Sequence, residues 1–235
     1  MTISYKVGSD AAIINKWGHA TDEGVILGLN AITMPGLERT IITVEEFRNE
    51  FSRQFTGGGN YGTLGYSGNA VIGDLTGQDQ LRAYLIARTQ FTDTRAYFDL
   101  NDFLMCDLAS DSISAMQVSK AMFGNADKNS VFPYDGEIIM NGAYAIFSEH
   151  TTAAAVGGYA FAGSTITDSG TELDLLNIQV GDTLQVDKAT TAANDGQKTV
   201  VTVAAGVITM DSAFDTDEIF DATAGNETRA HWGRQ

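Results

Sequence analysis

Residues 56–69, TGGGNYGTLGYSGN, contain Gly57-x-Gly59-x-x-Gly62, the spacing with which a dinucleotide-binding loop holds a pyrophosphate. That chemistry needs a strand before the glycines and a helix N-terminus after them, so that free N–H groups meet the phosphate. Here the glycines follow Phe55 and lead into residues of strand character, and no helix start occurs before Thr76. The run Gly57, Gly58, Gly59 therefore reads as a loop that is costly to order unless something outside the chain orders it.

Other candidates for chemistry fail on spacing. His19, His150 and His231 are far apart, none lies in H-x-x-x-H or H-E-x-x-H, and Cys106 is the single cysteine, so no zinc set is legible. The histidines read as surface or interface residues. The acidic run DSAFDTDEIFD (211–221) lacks the ligand order and central glycine of a calcium loop; it reads as a solvated acidic loop, with adventitious calcium as the alternative. Asp99, Asp102, Asp107 and Asp111 fall on or beside expected strands without a basic or histidine partner nearby. Ser67, in Gly65-Tyr-Ser-Gly68, misses the nucleophile elbow by one residue. The expectation is no enzyme, no cofactor and no metal.

The elements that position these residues come next. A chain of 235 residues with 43% hydrophobic and 9% aromatic content can fill a core, and 25 glycines among Thr-, Val-, Ile- and Tyr-rich runs favour many short strands joined by turns. The formal charge of -16 argues against a protein that grips nucleic acid backbone, which needs Lys and Arg to displace counterions. Residues 1–156 and 157–235 each carry -8, so the shorter part is about twice as dense in charge. The start MTISYKVGSDAA lacks an apolar stretch after a basic one, and no apolar run approaches the roughly 18 residues of a membrane span, so a cytosolic origin without membrane insertion is expected.

Along the chain, residues 1–30 suggest an arm with a short strand, and AITMPGLERTIITV (31–44) a strand, a Pro-Gly turn and a β-branched strand. Thr43-Val-Glu-Glu46 has capping-box form, and Phe47, Phe51 and Phe55 repeat at i+4, which predicts a short helix over about 44–55; a strand running into a long loop over 48–62 is the alternative. TLGYSGNAVI (63–72) returns to strand character, and 75–90 is the clearest helix, with Thr76 as N-cap. Strands are expected in 94–100, 102–108, 112–123 and 136–147, with Gly124 to Ser130 as a polar connection. Residues 151–158 read as a linker, and 159–235 as a small acidic β domain whose last strand has the option of rejoining the first. Its strands are expected at 164–167, 183–186, 198–203, 207–210 and 227–232, with Asn194-Asp-Gly196 and TVVTVAAGVITM as turn and hairpin signals. The fold class is thus mainly β, a sandwich flanked by one helix over 1–150 plus a small C-terminal β domain.

Three groups of residues resemble the major tail tube proteins of long-tailed, siphovirus-like bacteriophages. The first is Leu37-Glu-Arg-Thr-Ile-Ile-Thr-Val44, the loop to Gly59-Asn-Tyr-Gly-Thr-Leu-Gly-Tyr-Ser-Gly-Asn69, and the helix start Gln78-Asp-Gln-Leu81. The second is Tyr97-Phe-Asp-Leu-Asn-Asp-Phe-Leu104 with Gly124 to Ser130 and Gly142-Ala-Tyr-Ala-Ile-Phe147. The third, Val180-Gly-Asp-Thr-Leu184 with Asn194-Asp-Gly196 and Val203 to Thr209, is similar to a small β domain common in phage virion proteins.

This resemblance implies a structural virion protein, made in host cytoplasm and resident in the tail, whose copies close into hexameric rings that stack into a tube. Neighbouring copies would share a continuous inner barrel, and genome DNA would pass through it without specific binding. Partners would be the chain itself and other tail proteins: tape measure, terminator and distal tail. Phe51, Phe55, Gly57, Gly58, Gly59, Tyr61 and Gly62 would form the inter-subunit assembly loop. Alternatives are a tail terminator, head-tail joining or decoration protein, or a carbohydrate-binding β module; the last needs an aromatic platform, and Trp17 and Trp232 lie near opposite chain ends.

Overall fold

The computed structural model of the chain describes residues 12–15, 24–44, 53–98, 102–125, 132–150, 159–168, 177–187, 189, 192–219 and 229–234. Along the chain these form β1 (Ala12–Asn15), β2 (Gly24–Val25), β3 (Leu29–Thr33), β4 (Leu37–Val44), β5 (Arg53–Tyr61), β6 (Thr63–Asn69), α1 (Gln78–Ala87), β7 (Gln90–Phe91), β8 (Arg95–Tyr97), β9 (Asp102–Cys106), β10 (Ala115–Phe123), β11 (Pro133–Asn141) and β12 (Tyr144–His150). They continue with β13 (Tyr159–Ala162), β14 (Thr165–Asp168), β15 (Thr183–Asp187), β16 (Gly196–Ala204), β17 (Val207–Met210), β18 (Glu218–Ile219) and β19 (Arg229–Arg234). The class is mainly β, with antiparallel sheets and one α-helix among the described residues. The expected linker at 151–158 and most of the expected arm lie outside the described residues.

Two compact units result. One draws on 26–92 and 114–142, the other on 1–25, 93–113 and 143–235. In the first, β3, β6, β11, β10 and β7 form a five-stranded sheet in that order, and α1 lies against β10. Alternation along β11 buries Tyr134, Ile138 and Met140 and leaves Glu137 and Ile139 exposed; β6 likewise buries Leu64 and Tyr66 and exposes Thr63 and Ser67. Leu81 and Tyr84 are the buried apolar side chains of the helix.

The helix starts later than expected. Its N-cap is Gly77, not Thr76, and the Gln78 N–H donates to Asp74 Oδ2 at 2.9 Å. The same oxygen accepts from the Leu27 N–H at 3.1 Å, so a carboxylate held by the turn between β2 and β3 sets the helix start, where negative charge is favoured. The run expected as one strand at 136–147 is two, because Gly142 takes φ +94 and turns the chain between β11 and β12. Of the expected helix over 44–55, only the ends are described, and both are strand: Val44 ends β4 and Arg53 to Phe55 begin β5, while residues 45–52 lie outside the described residues.

The second unit is a twelve-stranded sheet in the order β18-β13-β14-β17-β16-β15-β19-β12-β9-β8-β1-β2. Its two faces carry different cores. Tyr97, Phe103, Met105, Ala145 and Phe147 share one face, with the Phe103 and Phe147 rings stacked at 5.5 Å. Leu184, Val186, Ala230 and Trp232 look to the other face and pack with Tyr159, Phe161, Ile166, Ile208 and Phe214. β16 pairs with β15 through its first half and with β17 through its second, the register shifting between Val200 and Thr202, so one strand serves both ends of this region.

Close packing at one point dictates a glycine. A Cβ on Gly233 would lie 2.6 Å from Phe147 Cε1, since the ring of Phe147 on β12 lies over its partner Gly233 on β19. Gly233→Ala is expected to destabilise the protein by about 1–3 kcal/mol through overpacking. A urea midpoint lowered at constant slope would register this, and an unchanged midpoint would mean that Phe147 moves aside freely.

Candidate functional site

The residues expected to form an assembly loop lie on a ribbon. β4 and β5 pair with each other from Leu37↔Tyr61 to Val44↔Arg53 as a two-stranded sheet. Thr33 pairs with Gly65 and Leu37 with Tyr61, four residues on and four back, so the ribbon keeps the register of β3 and β6. The break between them falls at Pro35-Gly36 opposite Gly62, where the Gly62 N–H donates to the Gly36 carbonyl at 2.8 Å.

The glycine run has a defined place in this ribbon. Arg39 pairs with Gly59 and Ile41 with Thr56, so Thr40 stands opposite two residues, Gly57 and Gly58, in a β-bulge. Phe55 is opposite Ile42, and Tyr61 opposite Leu37. Phe51 lies outside the described residues. The long loop expected over 48–62 is thus strand from 53 to 61, because the β-branched run Thr40 to Val44 supplies a partner that the local Phe spacing does not reveal. No helix N-terminus follows these glycines; the next element is β6.

The titratable groups gather elsewhere, inside the twelve-stranded sheet. Arg95, on β8, is 0% exposed, and its Nη2 donates to both carboxylate oxygens of Asp187 on β15, at 2.8 and 2.6 Å. His231 Nε2, on β19, lies 2.7 Å from Asp187 Oδ2, and Gln185 Nε2 donates to Oδ1 at 2.9 Å. The guanidinium of Arg95 stands 4.4 Å over the Phe103 ring, and His231 meets that ring edge-on at 5.1 Å. Burial pushes the Asp187 carboxyl up, but the hydrogen bond from His231 and the Arg95 charge outweigh it and hold it well below the ordinary 3.8. His231 is therefore fully buried, which corrects the expectation of a surface or interface histidine. Side chains this deep hold a sheet together rather than meet a substrate.

Several other carboxylates serve turns. Asp107 is buried and its Oδ1 accepts from the Ser110 N–H and the Thr183 hydroxyl. Asp211 Oδ1 accepts from the Thr199 N–H and Asp217 Oδ1 from the Gly163 N–H, while Phe214 between them stacks on Phe161 at 4.1 Å. Among the described residues no three His, Cys, Asp or Glu side chains gather as metal ligands. Cys106 is buried, and desolvation pushes its thiol up to about 12.

Two measurements test the buried cluster. Asp187→Ala strands Arg95 and is expected to cost about 3–5 kcal/mol, whereas Arg95→Met combined with Asp187→Leu recovers most of it. A folded carboxyl that titrates below its unfolded counterpart contributes fully above about pH 5 and loses that contribution as pH falls through the lowered value. Wild type should therefore lose more stability than the double variant between about pH 6 and pH 2.5; equal losses would remove the pair from the account.

No protein-family model and no curated protein matches the sequence. Among solved structures, the chain is similar to one from the virion of a native gene transfer agent particle, at 12% identity and TM-score 0.44 over 60% of this chain and 98% of that one. It is similar to one from the tail of an empty gene transfer agent particle, refined with C6 symmetry, at 12% identity and TM-score 0.45 over 60% and 97%. A third likeness is to the anti-feeding prophage baseplate, at 12% identity and TM-score 0.37 over 61% and 97%.

Proposed function

We propose that the chain is the major subunit of a phage-type tail tube: copies join side by side into hexameric rings, and the rings stack into the conduit for DNA ejection. One observation carries this reading: among the described residues both edges of the five-stranded sheet are open. β3 ends the sheet on one side, and on the other β7 covers β10 only at Met116 and Gln117. β3, β6, β11 and β10 alternate in direction, so β3 and β10 run opposite ways. A second copy in the same orientation can set its β3 beside β10 and continue the antiparallel alternation. Head-to-tail contacts of this kind close into rings, and closure removes the edges that an open sheet leaves as a liability.

The faces of the sheet suit the same reading. α1 covers one face, whereas among the described residues the other stays exposed and carries Thr63, Ser67, Glu137 and Ile139, with Asp135 paired to Lys120. Turned inward in a ring, this face would present small polar and acidic groups to DNA and let it slide by like-charge repulsion at short range. The ribbon of β4 and β5, with Phe55, Gly57, Gly58, Gly59, Tyr61 and Gly62, would reach the next ring together with Phe51. Residues 159–235 would form an acidic outer part, with β19 returning to β12. Tape measure, terminator and distal tail proteins would be the partners within and at the ends of the tube.

Negative-stain electron microscopy over a concentration series should show hollow rings or tubes. Dispersed monomers at every concentration would overturn the proposal, and closed rings that never stack would favour a terminator instead. Replacing Gly57, Gly58 and Gly59 together with alanine should leave the subunit folded but reduce tube yield, because the bulge then carries two Cβ atoms; wild-type yield would take the glycine run out of the assembly.

A further inference from the structure

Buried side-chain hydrogen bonds hold the turn between β6 and α1. Asp74 is 5% exposed and accepts from the Leu27 and Gln78 N–H groups. Gln78, 1% exposed, donates from Nε2 to the Leu27 and Asn69 carbonyls and accepts from the Val71 N–H at 3.0 Å. Two buried polar side chains thus fix the backbone of a segment whose large apolar residues face water: Ile72 is 103% exposed and Leu75 73%. Solvation alone would favour polar residues at both positions.

The neighbourhood is apolar too. The Ala70 N–H donates to the Phe132 carbonyl, and Phe132 packs on Phe123 at 5.7 Å. Leu27, Phe123 and Phe132 are 49%, 37% and 42% exposed, so the Asn69 end of the sheet is capped by an apolar surface. Within 70–77 the single charge is Asp74, which is turned inward. On a protein of formal charge -16, such a surface is where a second, equally acidic copy meets the least repulsion.

The opposite end of the same sheet supplies the occupant. β6 runs from Thr63 to Asn69; the ribbon joins it at the Thr63 end, across Gly62, and the turn leaves it at the Asn69 end. A two-stranded ribbon is marginal by itself and needs apolar cover. We infer that the Ile72–Leu75 turn is a docking knob that receives the β4–β5 ribbon of a second copy stacked along the strand direction. This contact rests on the tube reading and supplies its ring-to-ring joint. Ribbon at one end and knob at the other make the contact heterologous, so it repeats without limit along an axis.

The test uses the full chain carrying Ile72→Ser and Leu75→Ser, both at exposed positions that leave the core intact. The variant should melt as wild type does and still close rings, while the concentration needed for stacking rises roughly tenfold or more. In parallel, a photo-crosslinking side chain at position 72 of otherwise wild-type protein should join residues 37–44 or 53–61 of another copy, read by mass spectrometry. Tubes formed at wild-type concentration, or crosslinks only to other segments, would overturn the knob and leave the ring reading standing. A wild-type protein that never assembles would overturn both.

Discussion

The bidentate pair between Arg95 and Asp187 is the constraint from which the twelve-stranded sheet follows. β8 and β15 stand four strand steps apart in the sheet order, roughly 19 Å if the sheet were flat at about 4.8 Å per step. That is farther than an arginine and an aspartate reach together, yet their charged groups meet at 2.6 Å. The sheet must therefore coil until one face closes on itself, and the space inside is what Phe103, Phe147 and His231 fill. A charge pair taken out of water is costly unless other groups support it; here Gln185 donates to the Asp187 carboxylate, His231 Nε2 lies 2.7 Å from it, and the Phe103 ring faces the guanidinium.

The five-stranded sheet solves the same problem of exposed strands in the contrary way. It does not coil onto its own edge. One face takes a helix, and its strands end in open edges and a projecting ribbon. Its buried polar side chains go into turns: Asp74 and Gln78 hydrogen-bond the backbone on the approach to α1. The two units thus place buried polar groups where each has a shape to specify, a closed interior in one and a displayed turn in the other.

Local patterns made much of this visible. Glycine-bounded β-branched runs located β10, β14, β16 and β17 closely, and the amphipathic spacing of Leu81 and Tyr84 located α1. What stayed hidden depends on partners distant in sequence. The i+4 spacing that ends at Phe55 suggests a helix there, and only the pairing of Phe55 with Ile42 of β4 shows it to be strand. Thr183 to Asp187, TLQVD, alternates like a half-exposed strand, but all five residues are buried, Thr183 against Asp107 and Gln185 and Asp187 in the ionic cluster. Nothing near Arg95 in sequence announces that its counter-charge lies at 187. The glycine spacing at 57–62 was legible as something other than a phosphate loop, whereas its bulge appears only with the register of β4.

The position of β19 also sets the order in which the protein is completed. This strand lies between β15 and β12, inside the sheet, although it is made after both. Arg95 leaves the ribosome 136 residues ahead of His231, which at about 5–20 residues per second is a delay of roughly 7–27 s. Until β19 is made, its ladders to β12 and to β15 cannot form. Late synthesis of the central strand thus acts as a clock that separates translation from closure.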